Sequence, residues 1–177
     1  MRLLTELTMR KEQKGSEEEI RYRPIGVIHT GFRDKQDAPI QGVFGKEAKG
    51  EVAVFPEFAA GLKDIEHFSH LILIYHFHRA EGYDLITKPF LEDEERGIFS
   101  VRHFKRPNPI GFSVVKLESV RGNVLAVSEV DILDGTPLLD IKPLVPLFDH
   151  RADATNGWLG NPRLDMSRGK AGRHRRE

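Results

Sequence analysis

The chain contains no cysteine among its 177 residues, and this absence limits the chemistry open to it. Disulfides, thiolate nucleophiles and cysteine-ligated zinc or iron–sulfur sites are excluded. Long apolar runs are also missing, since the longest covers residues 71–75 and a membrane-spanning helix needs roughly 20 apolar residues. We therefore predict a protein of the reducing cytoplasm that does not cross a membrane.

Two glycine-rich nucleotide signatures are absent as well. One is the Gly-x-x-x-x-Gly-Lys-Ser/Thr phosphate loop, and the other is the Gly-x-Gly-x-x-Gly turn that follows an early strand in dinucleotide-binding folds. Their absence argues against ATP- or NAD-dependent enzymes of the common folds. It argues equally against a methyltransferase of the usual Rossmann type.

The sequence contains many short segments rich in β-formers, separated by Gly, Pro and Asn. This pattern predicts a succession of strands rather than alternating strands and helices. The fold class that follows is mainly β, a single compact β-barrel with one or two short helices and flexible termini. The predicted strands cover residues 25–30, 50–55, 70–77, 97–102, 112–120 and 124–132.

Further local patterns refine this fold. Apolar residues three and four apart predict a short helix over 57–67, and Arg121-Gly122-Asn123 predicts a tight hairpin turn. The nearly continuous apolar run over 70–77 predicts a central strand covered on both faces. Prolines predict that 106–111 is a shaped loop and that 139–148 is an extended segment crossing the outside of the barrel.

Charge is distributed unevenly, although the formal net charge is +0. Residues 161–177 carry six Lys/Arg against two acids, which makes this segment +4 and the rest of the chain −4. A basic arm suits a polyanion such as RNA, and a disordered solubilising tail is the simpler interpretation. We divide the chain into a flexible leader at 1–22, a barrel domain at 23–150 and a basic C-terminal arm at 151–177.

Histidines form the first candidate site. His67, His70, His76 and His78 lie close together in the sequence, and His76 and His78 resemble a loose cupin-type metal signature together with Glu81. The spacing departs from that signature, and no later glycine-rich strand supplies a third histidine. Hydrogen-bonded, neutral pocket histidines are therefore the preferred interpretation, and no metal ligand is assigned.

Carboxylates form the second candidate site. Asp131, Asp134 and Asp140 surround Gly135-Thr136-Pro137. One Asp-Gly pair would indicate only an ordinary turn. Their grouping at the end of a predicted strand indicates more, because a carboxylate there can balance a cationic ligand or accept a proton.

These segments together resemble the TrmO/TsaA-like family over about residues 23–150. The most specific are Arg-Pro-Asn-Pro-Ile-Gly at 106–111 and Asp-Gly-Thr-Pro at 134–137. The other segments that carry the resemblance are His29, 38–42, 61–71, Phe77-His78, 97–102 and 131–133.

The resemblance implies a small β-barrel, usually dimeric, that binds S-adenosylmethionine and methylates N6 of threonylcarbamoyl-adenosine beside the anticodon of certain tRNAs. By position, it implies Asp131 and Asp134 as catalytic residues. A carboxylate suits the cationic sulfonium of the cofactor, and an arginine suits its carboxylate. The implied cofactor-binding residues are Pro39, Ile40, Gln41, His78, Arg79, Arg102, Phe112, Asp131, Ile132, Leu133, Asp134 and Gly135.

Two other functions stay open at this point. One is a metal-dependent small β-barrel enzyme that uses His76, His78 and Glu81, and the other is a non-catalytic RNA-binding module. In either RNA-related function, we expect the RNA to meet one surface of a homodimer. The predicted RNA contacts are Arg102, His103, Lys105 and Arg106 together with arm residues 163–176.

Overall fold

The computed structural model describes residues 19–89 and 94–160. Residues 161–177 of the predicted arm and residues 1–18 of the predicted leader lie outside these ranges. The strands are β1 (Gly26–Thr30), β2 (Lys49–Val54), β3 (His70–His76), β4 (Ile86–Thr87), β5 (Arg96–Gly97), β6 (Ile110–Arg121), β7 (Val124–Ser128) and β8 (Thr136–Pro143). The helices are α1 (Pro146–Asp149) and the 3-10 helices Gly42–Phe44, Pro56–Leu62, Ile65–His67, Ile98–Ser100 and Gly157–Leu159.

Six strands form a closed barrel in the order β1-β2-β7-β6-β3-β8, and β8 pairs back onto β1. All of these pairings are antiparallel, while β4 and β5 form a separate two-stranded sheet. Closure gives every barrel strand a partner on both sides, so no unpaired barrel edge is presented to other chains. The prediction of a mainly β, single-barrel fold is confirmed.

The barrel interior is filled by alternate residues of each strand, as the pleat of a strand requires. In β3, Leu71, Leu73 and Tyr75 are buried, whereas Ile72 and Ile74 are only partly covered. The prediction that this strand is covered on both faces is therefore wrong, because a barrel has a single interior. The largest fully buried side chains are Ile28, Leu71, Leu73, Ile98, Leu125, Ile132, Leu138, Val52, Val115, Val127 and Val130.

The hairpin between β6 and β7 is the predicted tight turn. Arg121 pairs with Val124 across it, and Gly122 adopts a left-handed φ of 61° that glycine tolerates without strain. The Asn123 side chain donates a 2.6 Å hydrogen bond to the carbonyl of Val54, while the Val54 N–H donates to the Asn123 carbonyl at 2.9 Å. The turn thus also fixes the end of β2.

The two ends of the barrel differ in structure. The end that we call the site end contains the last residues of β1 and β3 and the first residues of β6 and β8. The opposite end is covered by the 3-10 helices Pro56–Leu62 and Ile65–His67, with Leu62 buried in the core. A cleft of about 510 Å³ lies there, between these helices and β8. The catalytic and cofactor-binding residues that the resemblance implies lie at the site end, whereas Asp140 borders this cleft and His67 and His70 lie at the opposite end.

Two predicted elements differ in type from what is observed. Residues 97–102 were expected as a strand, but only Arg96–Gly97 is extended and Ile98–Ser100 is a 3-10 helix. Residues 57–67 were expected as one helix, but two 3-10 helices are separated by Asp64, which has a φ of 67°. A left-handed residue cannot continue a right-handed helix, so the segment divides there.

The proline-containing segments also differ from expectation. Residues 139–148 do not cross the outside of the barrel, because β8 continues to Pro143 as a barrel strand and Pro146 begins α1. Proline is tolerated at both places, since a strand end and the first turn of a helix do not need its missing N–H. Ile110 and Gly111 belong to β6 rather than to the preceding loop.

The predicted strand at 124–132 ends early, at Ser128. Glu129 has a left-handed φ of 62°, which breaks the extended conformation. Val130 and Ile132 are nevertheless fully buried, so their apolar character comes from core packing rather than from a strand. Among the described residues, no helix is long and apolar enough to cross a membrane.

Candidate active site at one end of the barrel

Asp131 lies in the loop that follows β7 and passes over the site end. Its Oδ1 accepts a 2.6 Å hydrogen bond from the Ser113 hydroxyl, and its Oδ2 accepts one of 3.1 Å from the Gly42 N–H. Burial raises the pKa of Asp131 above the ordinary carboxyl value, while these hydrogen bonds and the Arg102 charge oppose the rise. Asp131 is thus a partly buried carboxyl group held in one orientation.

Tyr75 extends this contact into the barrel. Its hydroxyl lies 3.0 Å from the Ser113 hydroxyl, and the two residues are only 4% and 5% exposed. Burial, followed by the charge of Asp131, raises the pKa of Tyr75, so the phenol stays protonated. Since the Ser113 proton is directed to the carboxylate, the Tyr75 hydroxyl is the donor to Ser113.

Gly111 provides the space for the Tyr75 ring. The two residues are directly opposite in the pairing of β3 with β6. A Cβ at position 111 would lie 2.1 Å from Cε2 of the ring. The φ of Gly111 is not left-handed, so packing explains why the Pro-Asn-Pro-Ile-Gly segment ends on glycine.

Asp134 occupies a more open position than Asp131. Its side chain is 41% exposed, and its Oδ1 accepts a 3.1 Å hydrogen bond from the Thr30 N–H and lies 3.4 Å from Nδ1 of His29. The Thr30 N–H makes the largest contribution to lowering the pKa of Asp134. The site end therefore carries a second carboxyl group that ionises more readily than Asp131.

The residues between the two acids fasten the loop to β1 and β8. The carbonyl of Ile132 accepts a 2.9 Å hydrogen bond from the Thr30 hydroxyl, and that of Leu133 accepts a 2.7 Å bond from the Thr136 hydroxyl. The Ile132 side chain is fully buried. Gly135 adopts a φ of 73°, which lets the chain turn into β8. Ile132 therefore belongs to the core, and its side chain is not available to a ligand.

His78 and Arg79 follow β3 at the same end. Nδ1 of His78 lies 3.3 Å from the Thr136 hydroxyl, and burial followed by the Arg79 charge lowers the pKa of His78. His78 is thus a neutral, hydrogen-bonded residue at neutral pH. The Arg79 guanidinium donates to the backbone carbonyl of Arg33, so it fastens the loop that follows β1.

Arg102, Gln41 and Phe112 form a third part of the site. Arg102 donates a 2.9 Å hydrogen bond to Oε1 of Gln41, whose own amide donates to the Ile40 carbonyl at 2.8 Å. The Arg102 guanidinium carbon is 5.5 Å from the centre of the Phe112 ring, and Phe112 is 47% exposed. A cation and an exposed aromatic face therefore lie together beside Asp131.

The loop from Pro39 to Gly42 is shaped by close packing. A Cβ on Gly42 would lie 2.1 Å from the Glu129 carbonyl oxygen, and one on Gly45 would lie 2.4 Å from Cγ of Pro39. These approaches position the Gly42 N–H for its hydrogen bond to Asp131. Pro39, Ile40 and Gln41 are thus brought to the site end, with Pro39 in a structural contact.

The predicted RNA contacts are of two kinds: side chains that bind carbonyls of their own chain and side chains that stay partly exposed. Arg106 donates to the carbonyls of Ile98 and Val101 at 3.0 and 2.8 Å, so it stabilises the loop. Lys105 forms a 3.1 Å ion pair with Asp84 and keeps 41% of its side chain exposed.

His103 stacks on Phe104 with ring centres 4.2 Å apart, and burial, followed by the charge of Lys35, lowers the pKa of His103. Lys35 itself lies 3.7 Å from the centre of the Phe104 ring. The outward positive charge on this loop therefore comes from Arg102 and Lys105, and the arm residues 163–176 lie outside the described part of the chain.

The metal-dependent alternative has no geometric support. His76, His78 and Glu81 do not bring three ligand atoms within reach of one ion. In the described part of the chain, one group of three residues does bring its ligand atoms close together. It consists of Asp64, Glu66 and His67 on the exposed surface of the opposite end. Exposed acidic groups of this kind are common without a metal.

Sequence reasoning missed four residues of the site: Thr30, Gly42, Tyr75 and Ser113. For Ser113 a signal was present, because it is a polar residue at an inward position of β6, between buried Gly111 and Val115. A buried hydroxyl needs a partner. The identity of that partner depends on the register of β6 against β3 and on the path of the loop after β7.

The chemistry of this set of residues fits S-adenosylmethionine. Asp131 and Asp134 supply negative charge for a sulfonium, Arg102 can bind a carboxylate, and Phe112 offers an aromatic face for a purine. These groups lie on three different segments that meet at one end of the barrel, namely the loop between β7 and β8, the loop before β6, and β6 itself. The site therefore has the charge pattern expected for that cofactor.

The fold and the site together define a small closed β-barrel protein with two carboxylates, an arginine and an exposed aromatic ring at one end, and with no nucleotide-binding glycine signature. The model of the tRNA-methyltransferase O N-terminal domain matches residues 27–150. The chain belongs to this family, and the resemblance stated from the sequence is confirmed.

Individual relatives agree with this assignment. A probable S-adenosyl-L-methionine-binding protein of Pyrococcus abyssi is 57% identical over 138 residues, which cover 78% of this chain and 75% of that protein. The tRNA (adenine(37)-N6)-methyltransferase of Escherichia coli is 34% identical over 157 residues, which cover 82% of this chain and 67% of that protein. The crystal structure of TrmO from Pseudomonas aeruginosa matches with a TM-score of 0.68 and 38% identity, and the match covers 80% of this chain and 63% of that one.

Proposed function

We propose that this chain is an S-adenosylmethionine-dependent methyltransferase that acts on N6 of an adenine in tRNA. The observation that carries the proposal is the set of Asp131, Asp134, Arg102 and Phe112 at one end of a family-typical barrel. The names of the Pyrococcus and Escherichia coli relatives support the cofactor and the reaction. The finer proposal is that the adenine carries a threonylcarbamoyl group and lies beside the anticodon.

In this proposal, the cofactor supplies an activated methyl group on a cationic sulfur. Arg102 binds the carboxylate of the cofactor, Phe112 covers its adenine, and the Asp134 carboxylate balances its positive charge. The loop of Pro39, Ile40 and Gln41, the His78–Arg79 segment and the backbone of 132–135 complete the pocket. No covalent intermediate with the protein is needed, since alignment and water exclusion are sufficient for a direct transfer.

Asp131 is proposed as the group that accepts the N6 proton. Its pKa is raised by burial, whereas that of Asp134 is lowered by the Thr30 N–H. A carboxylate with the higher pKa is the better proton acceptor, and one with the lower pKa is the better constant anion. The two acids would therefore have different roles in the same site.

A homodimer in the cytoplasm is also part of the proposal. Large apolar side chains on and near β4 and β5 are exposed, and a second copy of the chain would cover them. They are Tyr83 (59%), Leu85 (57%), Ile86 (57%) and Phe99 (77%).

Methyl transfer can be tested with labelled S-adenosylmethionine and total tRNA. We expect label in an N6-methylated adenosine, and a cofactor-dependent rise in melting temperature, because a ligand of the folded state stabilises it. Binding of tRNA with a flat thermal profile at about millimolar cofactor would contradict the proposal and favour a non-catalytic RNA-binding module. Comparing tRNA with and without the threonylcarbamoyl group tests the finer proposal.

We expect S-adenosylmethionine binding to depend on the planar shape of the Arg102 side chain as well as on its charge. We expect Arg102→Ala to weaken S-adenosylmethionine binding by about 1.5–3 kcal/mol, the range for a hydrogen bond to a charged group. Arg102→Lys should recover little of this loss, because an ammonium cannot form the paired contacts of a guanidinium. Titration calorimetry measures both variants, and Lys116→Ala on the outward face of β6 is the control. Unchanged affinity in both Arg102 variants would remove Arg102 from the pocket.

A further inference from the structure

Three side chains form a continuous hydrogen-bonded series from the barrel interior to the candidate site. Tyr75 contacts Ser113 at 3.0 Å, and Ser113 donates to Oδ1 of Asp131 at 2.6 Å. Tyr75 and Ser113 are almost completely buried, and they lie on the neighbouring strands β3 and β6. In a closed barrel these strands have no freedom to separate, so the position of the Ser113 hydroxyl is fixed.

We propose that Ser113, itself held by Tyr75, is a positioning residue that orients the Asp131 carboxylate as the acceptor of the N6 proton. This inference rests on the proposed methyl transfer. It assigns a role to two buried residues that the sequence did not identify as part of the site.

The hydrogen bonds of Asp131 support this role. Ser113 contacts one carboxylate oxygen and the Gly42 N–H contacts the other, so rotation of the carboxyl group is prevented. Each carboxylate oxygen can accept a further hydrogen bond, which leaves capacity for the substrate. The charged or titratable groups that act on Asp131 are Arg102 and Tyr75.

The proton balance of the reaction requires such an acceptor. The electron pair of N6 forms the new bond to the methyl carbon, and the electron pair of the broken bond stays on sulfur. The proton on N6 moves to Asp131, which becomes a neutral carboxylic acid. A carboxylate that is partly buried loses less by becoming neutral than an exposed one does.

The hydroxyl of Ser113 can be tested with a pair of variants of equal size. Ser113→Thr keeps a hydroxyl, whereas Ser113→Val replaces it with a methyl group in nearly the same volume. Tyr75→Phe removes only the outer donor of the series. Carbon-13 NMR titration of Asp131 in the free protein and the pH dependence of kcat are measured for each variant, with melting temperatures as the check on folding.

Loss of the donor should raise the pKa of Asp131, because a hydrogen bond to the ionised form is removed. Asp131 must be ionised to accept a proton, so kcat falls as the pH falls through this pKa. In Ser113→Val the acid limb of kcat should therefore move to higher pH, with about a tenfold loss on the acid side per pH unit of displacement. KM should not change, Ser113→Thr should resemble the wild type, and Tyr75→Phe should show a smaller displacement in the same direction.

The inference would be overturned if Ser113→Thr and Ser113→Val gave the same Asp131 titration curve and the same pH dependence of kcat. Methyl transfer by the wild type would still stand in that case. An Asp131 pKa that is unchanged in Tyr75→Phe and Ser113→Val would also overturn the inference. Absence of methyl transfer by the wild-type chain would overturn the proposed function and this inference together.

Discussion

Asp131→Asn should lower the rate of methyl transfer by about 100- to 10 000-fold, the range that a positioned general base contributes. An amide keeps the size of the side chain but cannot accept the N6 proton. Its NH₂ group would also meet one of the two donors, Ser113 or the Gly42 N–H, that the carboxylate now accepts from. The measurement is kcat with saturating tRNA and cofactor, together with the melting temperature.

Asp140→Asn is the matched control for this variant. Asp140 lies in β8, is 45% exposed at its side chain and forms a 2.7 Å ion pair with Lys142. It borders the cleft at the opposite end, so its replacement should leave kcat unchanged. Equal rates for Asp131→Asn and the wild type would show that Asp131 only holds the loop.

Asp134→Asn should reduce activity more than stability, because the amide oxygen can still accept the Thr30 N–H.

Gly111→Ala should destabilise the barrel by about 1–3 kcal/mol, the usual cost of overpacking a core. The added methyl group would lie 2.1 Å from the Tyr75 ring, and the ring is buried between neighbouring strands. Displacement of Tyr75 would also move its hydroxyl away from Ser113. The variant should therefore lose stability and activity together, as measured by urea denaturation and by methyl transfer.

Gly97→Ala is the control for the glycine effect. Gly97 has an ordinary φ of −62°, and nothing lies within 4 Å of a Cβ placed there. This substitution should be neutral or slightly stabilising, since alanine restricts the unfolded chain. Adding Tyr75→Leu to Gly111→Ala should recover part of the lost stability. If the double variant were as unstable as the sum of the single ones, the ring contact would not be the cause.

The barrel itself could be predicted because its evidence is local. Alternating apolar residues and the Gly122-Asn123 turn are readable in a linear sequence, and both are found in the structure. Residues 97–102 have the same β-forming composition, but Ile98–Ser100 within them forms a 3-10 helix. There, Ile98 is buried and the Arg106 side chain binds the carbonyls of Ile98 and Val101. A contact from a residue outside the segment overrides its local propensity.

The prediction for the proline-containing segment 139–148 was wrong for a different reason. Pro143 and Pro146 predict an extended segment outside the barrel, yet Pro143 is part of the barrel strand β8, as is Pro137 near its start. Pro143 is the last residue of the strand, where a missing donor costs little. The location of a proline relative to the strand end decides its effect, and the sequence alone does not fix that location.

The site was only partly predictable. Asp131, Asp134 and Arg102 stand in recognisable segments, and the structure places them at one end of the barrel. Tyr75 and Ser113 are 38 residues apart in sequence, and their contact depends on the register of β3 against β6. Arg79 was predicted to contact the cofactor and Arg106 to contact RNA, and the sequence did not indicate that both also donate to backbone carbonyls of their own chain. Register and side-chain direction are properties of the folded state.

The pairing of β1 with β8 has a consequence for how the protein folds. The first and last barrel strands must meet, and the contacts that build the site join residues 104 positions apart at Thr30 and Asp134 and 89 apart at Gly42 and Asp131. Such non-local contacts form late and slowly. During synthesis, β1 therefore remains without one of its partners until residues 136–138 have left the ribosome. The active centre is completed only in that last step, when the exposed edge of β1 ceases to be open to aggregation.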